Sequence, residues 1–386
     1  MNLLQSFITM MPMMVCLFWA AILLLDIWEH GDRAAHKDLL VWSMTAALLY
    51  MGHYTFFNGD RDEMPLLDTL YVVCNLLIFP LFLRYLLRLT EGKVSVLSNV
   101  LIFAPPFIIG GLVGGQYALL SPAETSDFIE TYLYHNSFDH LNGMAFRIAV
   151  THHVAKLLFA IGVAATLWIG MKKIRNYNHF IDSVYSDTED KHLYGITTIL
   201  GLMVITCIMS FCANFIGRYY FTERLWLLAI PSVIFSLLLF AIGYFGYTQR
   251  FSFADVIHAG EDNESKVQEQ PAGDSSGVSH GEMYERIITV MKDEKLFLEP
   301  DLKVDDIAAK LCTNRRYVQQ TINEEIGVTF SEYVNRMRIE HAKVLLQSNS
   351  EMTVQEVSEQ SGYKTLSTFY RNFKKYKGCN PKTGAF

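Results

Sequence analysis

The first 250 residues consist of long apolar runs separated by short polar gaps. Seven runs reach about 20 residues, the length that a helix needs to cross the roughly 30 Å hydrocarbon core of a bilayer. Three of these runs contain no Asp, Glu, Lys or Arg, whereas a helix in a soluble core usually keeps a polar face. The pattern predicts a seven-helix transmembrane bundle, with spans at about 7–28, 38–57, 67–89, 95–119, 146–171, 194–217 and 225–248.

The character of the chain changes near residue 250. Residues 251–280 are polar and acidic and contain Gly, Ser and Pro, a composition that cannot bury an apolar core. Residues 281–386 return to apolar positions at helical spacing. We therefore expect an all-α protein with three parts: a seven-span membrane domain (1–250), a flexible acidic linker (251–280) and a soluble helical domain (281–386).

The soluble part shows two short helix pairs joined by one long helix. In the first pair, Asn314 is a good N-cap for the second helix, and Gly327 ends that helix. The long helix is predicted over residues 330–346. In the second pair, Thr353 begins a T-V-Q-E capping box, and Gly362 provides the turn. This arrangement predicts two helix-turn-helix units.

Both second helices carry polar side chains on the face that their apolar positions leave free. The second helix of a helix-turn-helix fits the major groove of DNA and places hydrogen-bonding groups against base edges. Arg, Gln, Asn, Ser and Thr suit this task, and residues 364–382 add six basic side chains without an acid. A solvated bundle with basic faces is the simpler alternative, but two units in tandem favour DNA binding.

The overall charge conceals this basic region. The chain has 32 Lys and Arg against 39 Asp and Glu, for a net charge of −7, which usually argues against nucleic acid as a partner. Residues 301–386 alone contain 13 basic and 10 acidic side chains, a net charge of +3. The overall acidity therefore does not exclude DNA as a partner of the C-terminal part.

The motifs of the C-terminal part resemble the AraC-type (AraC/XylS) DNA-binding domain. The first half matches through G-x-x-F-S-E-Y at 327–333 and R-x-R-I-E-x-A-K-x-L-L at 336–346. The second half matches through Gly-Tyr at 362–363 and F-Y-R-N-F-K-K at 369–375. The resemblance covers residues 301–386 and implies a seven-helix domain that lays two recognition helices into successive major grooves.

The resemblance also implies which side chains meet DNA and which partners take part. It implies a transcription regulator that binds promoter DNA, has RNA polymerase as a further partner and acts as a homodimer, without a cofactor or catalytic site. The base-reading positions fall on Arg316, Gln319 and Gln320 in the first recognition helix and on Ser367 and Arg371 in the second. Phosphate contacts are expected from Arg315, Asn323, Lys364, Thr368, Lys374, Lys375 and Lys377.

Basic residues between the spans predict the orientation in the membrane. Cytoplasmic loops carry an excess of Lys and Arg. The first, third and fifth loops hold nine such residues, whereas the second, fourth and sixth hold four. We therefore expect the N-terminus outside and the C-terminus in the cytoplasm, in a bacterial inner (cytoplasmic) membrane whose lipid is a further partner. The odd number of spans requires the same arrangement.

A few polar side chains within the spans suggest a sensory pocket. Ionisable groups inside a membrane are costly and often functional. His53 is expected near the outer end of the second span, and His152, His153 and Lys156 in the outer half of the fifth. These four residues are candidates for an outward-facing pocket that takes a small molecule as signal. The alternative is that the histidines and the lysine lie at the interface and extend to water.

An enzyme is not predicted. Intramembrane zinc or di-iron chemistry needs several His or carboxylate ligands at spacings such as H-x-x-x-H, and the one adjacent His-His pair does not supply them. We expect no metal site. The function predicted is a membrane-bound one-component transcription regulator. The alternative is a membrane receptor or transporter-like protein whose tail binds proteins and does not regulate transcription.

Overall fold

The computed structural model describes residues 3–31, 34–58, 61–216, 225–249, 279–348 and 351–381. The predicted linker falls almost entirely outside these residues. Contacts divide the chain into two compact units, the first formed by Met1–Ile174 with Leu193–Phe253 and the second by Arg175–His192 with Ala254–Phe386. Within the described residues all regular elements are helical, apart from one isolated bridge between Tyr185 and Lys303. The all-α prediction is confirmed.

The described part of the first unit contains seven long helices at the positions of the seven predicted apolar runs. Five of them are long and apolar enough to cross a membrane, whereas α2 and α7 do not meet the same criterion over their described residues. The number of crossings therefore stays a prediction. The helices are α1 (Leu3–His30), α2 (Ala34–Asn58), α3 (Met64–Glu91), α4 (Val96–Tyr117), the short α5 (Pro122–Phe128), α6 (Gly143–Val184), α7 (Tyr194–Ile216) and α8 (Leu225–Thr248).

Close helix contacts and buried polar pairs hold the first unit together. Helix α1 packs on α2 and α8, and α2 packs on α3. A Cβ atom at Gly243 of α8 would lie 2.2 Å from the indole of Trp19, so only glycine allows this approach. Near the start of α2, the carboxylate of Asp38 lies 3.2 Å from both Arg84 and Arg88 of α3. Two of the basic residues that predict the orientation are thus also paired inside this unit.

The segment between α4 and α6 folds onto the first unit. Helix α5 begins with a capping box between Ser121 and Glu124 and continues into a π-helical turn at Ile129–Tyr134. Hydrogen bonds from the Ser121 backbone and hydroxyl lower the pKa of Glu124. The apolar face of this segment is buried in a cluster with residues of α3, α4 and α6, and its members are Phe128, Ile129, Tyr132 and Leu133.

The second unit contains six α-helices and one 3-10 turn within its described C-terminal residues. The resemblance implied seven helices, a number reached only when the 3-10 turn is counted. The long α12 packs against both helix pairs. The elements are α9 (His280–Asp293), a 3-10 turn (Leu296–Leu298), α10 (Val304–Lys310), α11 (Arg315–Ile326), α12 (Phe330–Ser348), α13 (Val354–Gln360) and α14 (Leu366–Lys377).

The helix ends of this unit follow the predicted signals. Asn314 caps α11 and accepts from the Tyr317 amide, and Gly327 ends α11 with φ +72°. Thr353 forms the predicted capping box with Glu356 at the start of α13. The second unit also includes residues 175–192, which comprise the last turns of α6 and the loop that follows.

We expect Gly362→Ala to destabilise the second unit strongly. Gly362 has φ +80°, and a Cβ atom there would lie 2.6 Å from the carbonyl oxygen of Leu298. Backbone strain and overpacking together should lower the free energy of unfolding by about 2–5 kcal/mol. The measurement is the protease susceptibility of residues 279–381 in the intact, detergent-solubilised protein during heating.

Gly378→Ala is the matched control for this substitution. Gly378 has φ +73°, but a Cβ atom there would meet nothing within 4 Å. Only the backbone strain remains, about 1–2 kcal/mol. Equal losses at the two positions would show that the contact with Leu298 does not matter.

Candidate nucleic-acid interface

The first helix-turn-helix unit is formed by α10 and α11. Cys312, with φ +50°, makes the turn, and the amide of Thr313 donates to the carbonyl of Ala308 over 2.9 Å. The side chain of Asn314 then accepts from the Tyr317 amide over 2.8 Å and fixes the first turn of α11. The buried side of this unit consists of Val304, Ile307, Ala308, Val318 and Ile322.

The opposite face of α11 carries the predicted DNA contacts. Arg316, Gln320 and Asn323 are exposed, whereas Arg315 and Gln319 are half-buried. The amide of Gln320 donates to Glu324 over 2.7 Å. Arg315 lies 3.6 Å from Asp305. The predicted base-reading and phosphate positions of the first helix-turn-helix unit thus share one side of α11, as the sequence predicts.

The second helix-turn-helix unit is formed by α13 and α14. Thr365 caps α14 and accepts from the Thr368 amide over 3.2 Å. Phe369 and Phe373 are fully buried against α12 and α13, which turns Ser367 and Arg371 outward. Both predicted base-reading side chains of this unit are exposed.

The predicted phosphate contacts of the second helix-turn-helix unit differ in their surroundings. Lys374 and Lys375 are exposed on the last turns of α14, where the ammonium group of Lys375 lies 5.0 Å from the ring centroid of Tyr376. Lys364 pairs with Asp301. Lys377 is half-buried and pairs with Glu340 of α12. Lys374 and Lys375 are therefore the lysines best placed to meet a phosphate backbone.

A buried arginine of α12 contacts the segment before the first helix-turn-helix unit and the residue after the turn of the second. Arg338 of α12 is 1% exposed, and its guanidinium donates to the carbonyl oxygens of Phe297 and Glu299, each over 2.6 Å. The guanidinium also lies 5.6 Å from the ring centroid of Tyr363, which follows the turn between α13 and α14. Burial lowers the pKa of Arg338, and the neighbouring Tyr363 opposes this shift. The arginine thus fastens α12 to the turns on both sides.

Residues 183–189 contact this part of the second unit at three points. The amide of Gln319 donates to the carbonyl and hydroxyl oxygens of Ser183, over 2.8 and 3.1 Å. The guanidinium of Arg338 donates to the hydroxyl of Ser186 over 3.1 Å. Glu189 accepts from both Thr368 and Arg371. Three of the predicted DNA contacts, Gln319, Thr368 and Arg371, therefore have partners in residues 183–189.

Three of the four predicted sensory residues, His152, His153 and Lys156, lie around Tyr132 in the first compact unit. His152 is buried, with its Nε2 atom 2.7 Å from Asp68, so it does not extend to water. His153 lies 2.9 Å from the hydroxyl of Tyr132. The ammonium group of Lys156 donates to Asn136 over 2.9 Å and lies 5.2 Å from the ring centroid of Tyr132. These contacts give the three side chains partners in the fold, and a ligand role for them stays a prediction.

The fourth predicted sensory residue, His53, lines a cavity of the first compact unit. The cavity has a volume of about 210 Å³ and is bordered by α1, α2, α3, α6, α7 and α8. The ring of His53 lies 5.2 Å from that of Tyr71 and 5.7 Å from that of Tyr50, centroid to centroid. Other residues that line the cavity include Thr9, Trp42, Ala46, Asn75, Phe79, Thr206, Cys207 and Ser232.

The C-terminal region is similar to a helix-turn-helix domain family and to transcriptional regulators. Residues 307–383 match a helix-turn-helix domain family. The chain is 37% identical over 83 residues to an uncharacterized HTH-type transcriptional regulator of Bacillus subtilis, YtdP, covering 22% of this chain and 11% of that protein. It is 28% identical over 81 residues to the melibiose operon regulatory protein of Escherichia coli, covering 21% of this chain and 26% of that protein.

A solved structure also matches. The C-terminal domain of the two-component response regulator yesN from Fusobacterium nucleatum is 26% identical and covers 26% of this chain and 96% of that chain, with a TM-score of 0.24. The chain spans only about a tenth to a quarter of the length of the two curated relatives. The sequence matches confirm the predicted AraC-type helix-turn-helix domain at the C-terminus.

Sequence reasoning missed two features of this interface. Arg338 stands in a matching motif, but its role as the buried link depends on carbonyls about 40 positions away. No sequence motif assigned a role to Glu189, which lies 182 positions from Arg371. The three acids at residues 187–190 are the sequence feature from which a basic partner could have been inferred.

Proposed function

We propose that this protein is a membrane-bound transcription regulator that binds promoter DNA through its two helix-turn-helix units. The observation that carries the proposal is the pair of capped recognition helices, α11 and α14, both packed on α12 with polar and basic side chains outward. DNA recognition needs bidentate donors for bases and cations for phosphates, and both kinds are present. Arg316, Gln319, Gln320, Ser367 and Arg371 read bases in this proposal.

The membrane helices tether this DNA-binding unit to the inner membrane. Five helices of sufficient length and apolarity support the anchoring. The excess of Lys and Arg in the odd-numbered loops supports a cytoplasmic C-terminus, without which DNA would be out of reach. Two such tethered units in a homodimer could meet adjacent half-sites of one promoter, because linkers raise the effective concentration of the second unit.

The cavity that contains His53 is the proposed place for a small-molecule signal. Its lining is mainly aromatic and aliphatic, with isolated polar groups such as Asn75 and Ser232. Ligand pockets typically combine such apolar walls with a few polar groups that orient the ligand. We therefore propose a compact, largely apolar molecule with one or two hydrogen-bonding groups.

A protein-interaction tail remains the second candidate function. The contacts of Gln319, Thr368 and Arg371 with residues 183–189 favour it, because they show that the same face fits a peptide segment. The two candidates differ in one respect: only a DNA-binding protein recovers a common sequence from random duplexes.

The topology gives the first prediction of this proposal. A reporter that is active only in the cytoplasm should be active when fused after residue 250 and inactive when fused at Ala123. The reason is the charge asymmetry of nine basic residues against four in the loops. Activity in the reverse pattern would remove the DNA-binding role of the C-terminal unit.

The base-reading role gives the second prediction. The intact protein in lipid nanodiscs should select one motif from a pool of random DNA duplexes. Arg316→Ala should cost about 1–3 kcal/mol of binding free energy and relax the preference at one base pair. Lys375→Ala, the matched control, should weaken binding to all duplexes alike and reduce the slope of log affinity against log salt by about one.

Two results would contradict this reading. Selection without any common motif would favour the protein-interaction alternative. An equal loss of sequence preference in both variants would show that α11 does not lie in the major groove as proposed.

The cavity gives the third prediction. Ala46 is fully buried and lines the cavity, so Ala46→Phe should fill part of its space. A promoter with the selected motif should then give the same output in all growth conditions, whereas the wild-type output changes between them. Leu48→Phe is the control, because Leu48 is 39% exposed and lies outside the cavity lining. An unaltered response of the Ala46→Phe protein would exclude the cavity as the sensory site.

A further inference from the structure

An acidic segment of the same chain covers part of the predicted DNA-reading face of both helix-turn-helix units. This segment, residues 182–190, contains four acids and no Lys or Arg. It belongs to the same compact unit as the two recognition helices. Its contacts can therefore be compared directly with those that DNA would make.

The segment touches both recognition helices. Ser183 accepts two hydrogen bonds from the side-chain amide of Gln319 on α11. Glu189 accepts from Thr368 and Arg371 on α14. Gln319 and Arg371 are base-reading positions and Thr368 is a phosphate position, so the segment occupies groups from both kinds of DNA contact.

Ser186 anchors the middle of the segment. It is 1% exposed, and its amide donates to the carbonyl of Leu302 over 3.1 Å. Its own carbonyl accepts from Asn335 and Ser331 of α12, over 3.1 and 3.2 Å. The three contact points, Ser183, Ser186 and Glu189, recur every three residues, so one anchored stretch of chain spans the distance between the recognition helices.

The chemistry of these contacts imitates that of DNA. A carboxylate bound to a guanidinium offers a pair of acceptor atoms, as a phosphate does with two oxygens and guanine does with O6 and N7. The side-chain amide of Gln319, bound to a backbone carbonyl, is the group that would otherwise meet adenine. A carboxylate left beside a DNA phosphate would also be repelled.

We propose that the acidic segment and DNA compete for the same face of the two helix-turn-helix units. This inference rests on the proposed DNA binding. In the closed state the segment covers Gln319, Thr368 and Arg371. In the open state it has left them, and DNA takes its place. The apparent affinity for DNA is then the intrinsic affinity multiplied by the fraction of open protein.

The contacts are suited to reversible release. The Glu189 and Arg371 side chains are 28% and 57% exposed, and ion pairs with this exposure contribute little stability in water. The segment is also continuous with α6, which ends at Val184. A signal that moves α6 would therefore reach the segment through the chain itself.

The test compares DNA binding by three forms of the intact protein in lipid nanodiscs: wild type, Glu189→Gln and Asp190→Asn. The probes are the duplex selected from the random pool and a scrambled duplex of equal length. Selection is run with both wild type and Glu189→Gln, so that a closed wild type cannot conceal the motif. Asp190→Asn removes the same charge from an exposed neighbour in the same segment.

Competition predicts that Glu189→Gln binds the selected duplex about three- to tenfold more tightly than wild type. Asp190→Asn should differ from wild type by less than about twofold, which accounts for the general loss of one negative charge. Equal affinities of wild type and Glu189→Gln, or equal gains in both variants, would overturn the competition while leaving DNA binding intact. Absence of any DNA binding in both wild type and Glu189→Gln would overturn the proposed function and the competition together.

Glu189→Asp provides a second variant for the same test. The shorter carboxylate keeps the charge but cannot reach both Thr368 and Arg371 as glutamate does, so its affinity should fall between those of wild type and Glu189→Gln. Melting temperatures measured in parallel show whether each variant is folded. A gain in affinity in Glu189→Asp as large as that in Glu189→Gln would contradict the role assigned to the ion pair.

Discussion

The buried guanidinium of Arg338 fixes the position of α12, the helix against which both helix-turn-helix units pack. A charge removed from water is costly unless its donors are satisfied. In this protein the donors are met by the carbonyls of Phe297 and Glu299 and by the hydroxyl of Ser186. These partners come from residues 297–299 and from residues 175–192. One side chain therefore fixes α12 relative to both of these segments. The recognition helices then take their places on either side of α12.

The contact between Arg338 and Ser186 also connects the recognition helices with the loop between α6 and α7. Ser186 satisfies one donor of Arg338, while Ser183 and Glu189 reach the recognition helices on either side. Anchoring and covering are thus combined in seven consecutive residues. A regulator that is tethered to a membrane has few ways to receive a signal from its spans. A segment that continues a long helix and ends on the DNA-reading face offers a direct way.

Local signals in the sequence predicted most of the helices and their ends. Asn314, Thr353 and Gly362 act within a few residues of themselves, so their effects can be read from the sequence alone. The faces of α11 and α14 followed for the same reason, since apolar spacing decides which side is buried. The contacts of Glu189 and Arg338 could not be predicted in this way. They join groups far apart in the chain, and their geometry depends on the packed fold.

In the membrane half, too, the sequence predicted some features and missed others. Apolar length predicted where the long helices lie, but it did not predict that His152 pairs with Asp68 of α3. It also did not predict that His53 borders a cavity, because the residues that line this cavity come from helices far apart in the chain. In the structure His53 lines a cavity and the other three polar residues lie around Tyr132, and the sensory role of all four stays a prediction.

Hydrogen–deuterium exchange of the intact protein in nanodiscs, with and without the selected duplex, tests the competition most directly. The amide of Ser186 is bonded to the carbonyl of Leu302 and reports on the anchored segment. DNA binding in competition with the segment predicts slower exchange in residues 315–326 and 366–377 together with faster exchange at Ser186. Slower exchange in the two recognition helices with unchanged or slower exchange at Ser186 would contradict it.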